Sequence, residues 1–126
     1  MKKAQNGVNI IVMVIGLVLL LWLILSTISP EETATVVVNI PNSENQLVIE
    51  EYKNMRSGDI YFYLRSPQHR DRRIGTGGFN EPICPIAGGH YEFVWEDGAV
   101  TVRYPFSSSA VGEKENWTEI RLDLTE

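Results

Sequence analysis

The chain has 126 residues, with eleven Lys and Arg against sixteen Asp and Glu, for a formal net charge of −5. That length has room for one small domain. The acidic balance disfavours nucleic acid as a partner, because its phosphates reward basic surfaces, and a single cysteine excludes an intrachain disulfide.

Residues 8–28 read VNIIVMVIGLVLLLWLILSTI, carry no charge and hold Asn9 as the one strongly polar side chain before Ser26. As a helix this run is about 31 Å long at about 1.5 Å per residue, close to the roughly 30 Å hydrocarbon core of a bilayer. It lacks the polar stripe that a buried helix of a small soluble domain would show. A secretory signal would have a shorter apolar region of about 7–15 residues. Its best cleavage frame, Thr27 and Ser29, would also put Pro30 directly after the cut, where a fixed φ and a missing N–H are unfavourable. A retained transmembrane helix is therefore expected, with the lipid bilayer as the partner of residues 8–28. Lys2 and Lys3 precede the span, whereas Glu31 and Glu32 follow it and the next cation is Lys53. Basic flanks stay on the cytoplasmic side. The expected organisation is a cytoplasmic tail at 1–7, a single pass of the cell membrane at 8–28, a tether at 29–33 and an extracytoplasmic domain at 34–126. Residues 31–126 hold nine of the cations and all sixteen acids, a net charge of −7.

Beyond the tether the apolar pattern alternates with period two, the mark of half-buried strands. Runs at ATVVVNI (34–40), QLVIEE (46–51), DIYFYLR (59–65), HYEFVW (90–95), AVTVRY (99–104) and TEIRLDL (118–124) predict about six strands. Glu96-Asp97-Gly98 reads as a tight hairpin, with glycine supplying positive φ. Pro41-Asn42-Ser43, Ser57-Gly58-Asp59 and Gly75–Gly78 read as further turns, and Pro105 opens a longer loop through Ser107–Ser109 and Gly112. The fold class is then a small all-β domain, an antiparallel sandwich or open barrel, after one N-terminal transmembrane helix. Val36, Val38, Phe62, Leu64, Phe93, Trp95, Val100, Val102, Ile120 and Leu122 are the expected core.

Two stretches invite a chemical reading. RSPQHRDRRIGTGG (65–78) gathers Arg65, His69, Arg70, Arg72 and Arg73 in an otherwise acidic domain, with Asp71 among them. Guanidinium forks suit phosphate or carboxylate, and Gly75, Gly77 and Gly78 could offer backbone N–H groups to an anion. GTGG lacks the strand–loop–helix context and the trailing lysine of a phosphate loop, so a solvated hairpin loop is expected; the functional alternative is a contact surface for an anionic envelope component or a protein. ICPIAGGH (83–90) holds Cys84 and His90, a thiol and an imidazole, between Pro82 and Gly88-Gly89. One cysteine and two histidines without ligand spacing do not make a zinc site, and no other residue set calls for a metal or cofactor. The plain reading is a turn in which Cys84 is a small hydrophobe; the chemical one is a thiol-dependent or hydrolytic enzyme centred on Cys84 and His90.

Other features carry less. Glu50-Glu51, Glu96-Asp97 and Glu113–Glu115 read as solvated strand ends and turns. Ser107–Ser109 lack the setting of a nucleophilic serine. Asn116-Trp117-Thr118 matches a glycosylation sequon that matters only in a glycosylating pathway. Tyr61 and Tyr63 are expected to pack beneath a covering strand. Function is thus expected to be a non-enzymatic, membrane-anchored interaction or envelope module. An inverted topology with a cytoplasmic regulatory domain is the remaining reading.

Overall fold

The computed structural model describes residues 2–28, 30–80 and 83–125. Ser29 of the expected tether, Pro82 of the expected turn and the terminal Glu126 lie outside the described residues. Helix α1 (Lys2–Ile28) comes first. Its stretch Gly7–Leu25 has a mean hydropathy of 3.0 and none of it is buried by the rest of the chain. By length and composition it is apolar enough to cross a membrane or to serve as a signal sequence.

Two antiparallel sheets follow. Strands β1 (Glu31–Asn39), β2 (Gln46–Lys53), β3 (Ser57–Ser66) and β4 (His69–Asn80) form the first, in that order. Strands β5 (Glu92–Glu96), β6 (Ala99–Tyr104) and β7 (Thr118–Asp123) form the second. The all-β class is as expected, with seven strands among the described residues rather than six. Strand β1 starts at Glu31, where its first residues pair with Lys53 and Tyr52, so the domain begins three residues earlier than expected.

The additional strand is β4, which runs through the segment expected to be a solvated loop. The chain reverses at Pro67-Gln68, with Ser66 paired to His69, and then continues extended to Asn80. Gly75 and Gly77 are not turn residues; they lie opposite Phe62 and Ile60 on β3. Their lack of a side chain admits the second sheet. A Cβ on Gly75 would lie 2.4 Å from Leu122 Cδ2, and one on Gly77 would lie 2.4 Å from Ile120 Cδ1 and 2.5 Å from the Tyr104 hydroxyl. Glycine inside a strand often marks such a close approach. Tyr104 Oη, in turn, donates to the Gly78 carbonyl at 2.9 Å.

Ser57-Gly58-Asp59 is likewise the start of β3 rather than a turn, and the reversal precedes it, with Asn54 N donating to Ser57 O. Gly58 pairs with Phe79, whose ring lies over it as a cross-strand cover for the glycine. The hairpin at Asp97-Gly98 and the turn at Pro41–Ser43 stand where the sequence places them; Gly98 has φ 76° and Asn42 has φ 58°.

The core joins Leu47, Ile49, Ile60, Phe62, Leu64 and Phe79 of the first sheet to Val100, Val102, Tyr104 and Leu122 of the second. Val36, Val38, Phe93, Trp95 and Ile120, expected in the core, pack against it while remaining partly exposed.

Two outcomes follow from this packing. Gly58→Ala puts a Cβ 2.0 Å from the Phe79 ring, so it should destabilise the full chain by about 1–3 kcal/mol in denaturant titrations. The cost should shrink in a Phe79→Leu background, which a double-mutant cycle would detect. Burial pushes the Tyr104 phenol up from 10.0 to about 12. Its contribution to stability is therefore complete below pH 10 and is lost as pH rises from 10 towards about 12. Tyr104→Phe should flatten the melting temperature over that window.

Candidate functional site

Because β1 leaves the helix at Glu31, the strands alternate between a helix-side end and a far end. At the far end gather the turns at Pro41–Ser43, Pro67-Gln68 and Asp97-Gly98, together with the last residues of the chain. Leu124 N donates to Gly98 O at 2.9 Å, and Arg72 Nη2 donates to Thr125 O at 3.0 Å.

Strand alternation divides the basic segment between two faces. Arg73 lies opposite Tyr63 and Arg72 opposite Leu64, so they point to opposite sides of the sheet. Arg65 makes a two-pronged contact with Asp71 at 2.9 and 3.0 Å. That bond holds the Asp71 carboxyl below its usual range and raises Arg65. Arg73 donates to the Tyr63 hydroxyl and stacks its guanidinium 4.3 Å from the centre of the Tyr61 ring. Both are occupied. The remaining three, His69, Arg70 and Arg72, line a groove of about 340 Å³ with Leu64 and Ser66. Arg72 spends one nitrogen on Thr125 O. Arg70 and His69 are exposed and have no side-chain partner among the described residues. Gly75, Gly77 and Gly78 belong to the strand ladder and the sheet contact, so they do not form an anion-binding loop.

The outer face of the first sheet carries Tyr52, Tyr61 and Tyr63, half-buried, with Arg73 over the latter two. The Tyr52 and Tyr61 rings meet edge to face at 5.7 Å. Among the described residues no strand covers Tyr61 and Tyr63, contrary to expectation; the second sheet lies on the opposite face. On the outer face of the second sheet Arg103 bonds Glu92, Glu119 and the Lys114 carbonyl, and Arg121 pairs with Glu96.

ICPIAGGH forms a compact turn at the helix-side end. Gly88 N, Gly89 N and His90 N donate back to the carbonyls of Cys84, Ile86 and Pro85 at 2.8–3.1 Å. Two N–H groups early in this turn, Ile86 and Ala87, point instead at Glu51, a residue with 0 % exposure. The Glu51 carboxylate accepts from Ile86 N at 2.6 Å, Ala87 N at 3.1 Å and the Thr33 hydroxyl at 2.6 Å. Three donors converge on one acid, an acceptor-only geometry that compensates its burial. Glu51 is thus not the solvated strand-end residue expected. Cys84 has φ 39°, a strained backbone for a non-glycine residue, and its side chain packs on the edge of the core. The His90 ring lies against Gly88, where a Cβ would meet it at 2.9 Å. Among the described residues no group of three or more His, Cys, Asp and Glu is arranged to hold a metal ion.

No family model, curated protein or solved structure is similar to this chain. The site therefore rests on its own geometry. Leu64 and Ser66, which line the cationic groove, were not expected there; once β4 is recognised as a strand, pairing Leu64 with Arg72 identifies the first.

Removing the Glu51 carboxylate leaves two backbone N–H groups and a hydroxyl without it. Glu51→Ala should destabilise the chain by about 3 kcal/mol or more, and Thr33→Val by about 1 kcal/mol. Hydrogen exchange at Ile86 and Ala87 should accelerate in Glu51→Ala well beyond the change at Val100.

Proposed function

We propose that this protein is a single-pass display module. Helix α1 spans the cell membrane with its N-terminus in the cytoplasm and holds the β domain outside, with the far end as the contact surface. The observation that carries this reading is the groove at Leu64, Ser66, His69, Arg70 and Arg72, at the end of the domain opposite the helix. Most other cations of the two sheets are already engaged by Glu, Asp or tyrosine. Arg70 and His69 remain available beside an apolar Leu64 wall, a combination that recognises a carboxylate or phosphate attached to a larger body. An anionic envelope component or an acidic patch on another protein has that chemistry, whereas nucleic acid does not suit a domain of net charge −7.

The module acts by binding, without catalysing a reaction. Supporting this, Cys84 and His90 sit in a turn whose N–H groups and carbonyls are committed to Glu51 and to one another. The charge bias of Lys2 and Lys3 against Glu31 and Glu32 supports the orientation.

Two measurements test the reading. A Ser108→Cys variant carries its thiol in an exposed loop and should react with a membrane-impermeant maleimide in intact cells; labelling only after lysis would reverse the topology. Binding of polyphosphate to the full chain in neutral nanodiscs should weaken about tenfold in Arg70→Gln and fall with added salt. Unchanged binding in Arg70→Gln would remove the groove as the contact surface.

A further inference from the structure

A second cleft opens at the far end, between the β1–β2 turn and the β5–β6 hairpin, with a volume of about 520 Å³. That is within the range of small-molecule sites, about 300–1,000 Å³. Its apolar part is Ile40 and Leu124, each over nine-tenths buried, and the half-buried indole of Trp95. Its rim is polar: Asn42 on one side, Asp97 on the other. Both turns have defined backbones, with Asn42 at φ 58° and Gly98 at φ 76°.

The hydrogen-bonding inventory narrows the ligand. Glu96, also on the rim, is engaged by Arg121 at 3.2 Å. The Asn42 amide and the Asp97 carboxylate have no side-chain partner among the described residues. An amide offers donors and an acceptor, and a carboxylate offers acceptors alone. A hydrocarbon would leave these groups unmatched. An anion would face two carboxylates, and an ammonium ion would leave the amide donors unused. A sugar ring meets every requirement, with an apolar C–H face for the indole and hydroxyls that both donate and accept.

We propose that this cleft binds a neutral saccharide of about one or two rings, seated on Trp95 and held at the rim by Asn42 and Asp97. The site is separate from the cationic groove, and its occupancy does not depend on an anionic partner.

The test uses the full chain in phosphatidylcholine nanodiscs, which avoids sugar-based detergents. Saturation-transfer NMR is run with cellobiose, maltose and N,N′-diacetylchitobiose in turn, with choline and inorganic phosphate as comparison probes. At least one disaccharide should receive saturation at its ring C–H protons with millimolar or better affinity. Asn42→Gly, which preserves the turn backbone, and Asp97→Ala should each weaken it about tenfold. Trp95→Leu should abolish it, and the two rim variants keep the test valid should that core-edge change impair folding. Three results would overturn the proposal: no transfer to any of the three sugars, transfer unchanged in the combined rim variant, or choline binding in place of sugar.

Discussion

The domain depends on one buried acid. Glu51 sits on the inner face of β2, in line with Leu47 and Ile49, where a charged side chain without partners would be strongly unfavourable. It is tolerated because Thr33 reaches it from β1 and Ile86 and Ala87 reach it from the connection between the sheets. The same interaction completes that connection. Backbone N–H groups at the start of a turn have no partner within it, and the carboxylate supplies one. Each side supplies the partner the other lacks, so the acid and the turn specify each other, tying the first strand, the second strand and the crossover together.

The second constraint is the bare inner face of β4. Glycines at 75 and 77 let Leu122, Ile120 and Tyr104 approach the strand backbone, which seats the edge of one sheet on the edge of the other. Alternation from Gly75 and Gly77 alone would turn Arg73 inward; a bulge at Ile74, between the pairs Phe62–Gly75 and Tyr63–Arg73, reverses the faces and sorts the arginines. Arg73 is turned outward onto tyrosine rings, while Arg70 and Arg72 face the groove at the open end. The bulge next to the packed glycines thus selects which cations face the groove, and the function proposed for the far end depends on that register shift.

Much of this fold was legible in the sequence. The apolar helix, the alternating strands and the Asp97-Gly98 hairpin all have local signatures, and each formed where its signature lay. The failures share a cause. GTGG has the composition of a turn, and its role as a strand interior depends on Leu122, Ile120 and Tyr104, residues far along the chain that no local pattern connects to it. Missing β4 then merged five basic side chains into one loop that the structure divides. Glu51 is a different case: its position two residues beyond Ile49 already placed it on the inner face, but composition alone assigns a glutamate to solvent. Its partners, two main-chain amides, leave no trace in side-chain identity. The cleft between Asn42 and Asp97 was invisible for the same reason as β4, since two turns more than fifty residues apart meet only when both hairpins are folded.

The short interval between Ile28 and Glu31 also has a mechanical meaning. Two intervening residues give at most about 10 Å of slack, and β1 itself, nine residues long, extends about 30 Å. In a chain anchored through α1 this sets an upper limit: the outer tip would reach no more than about 40 Å from the end of the helix. Molecules that stay beyond that reach would not meet the tip, whatever their affinity, so length would filter encounters before chemistry does.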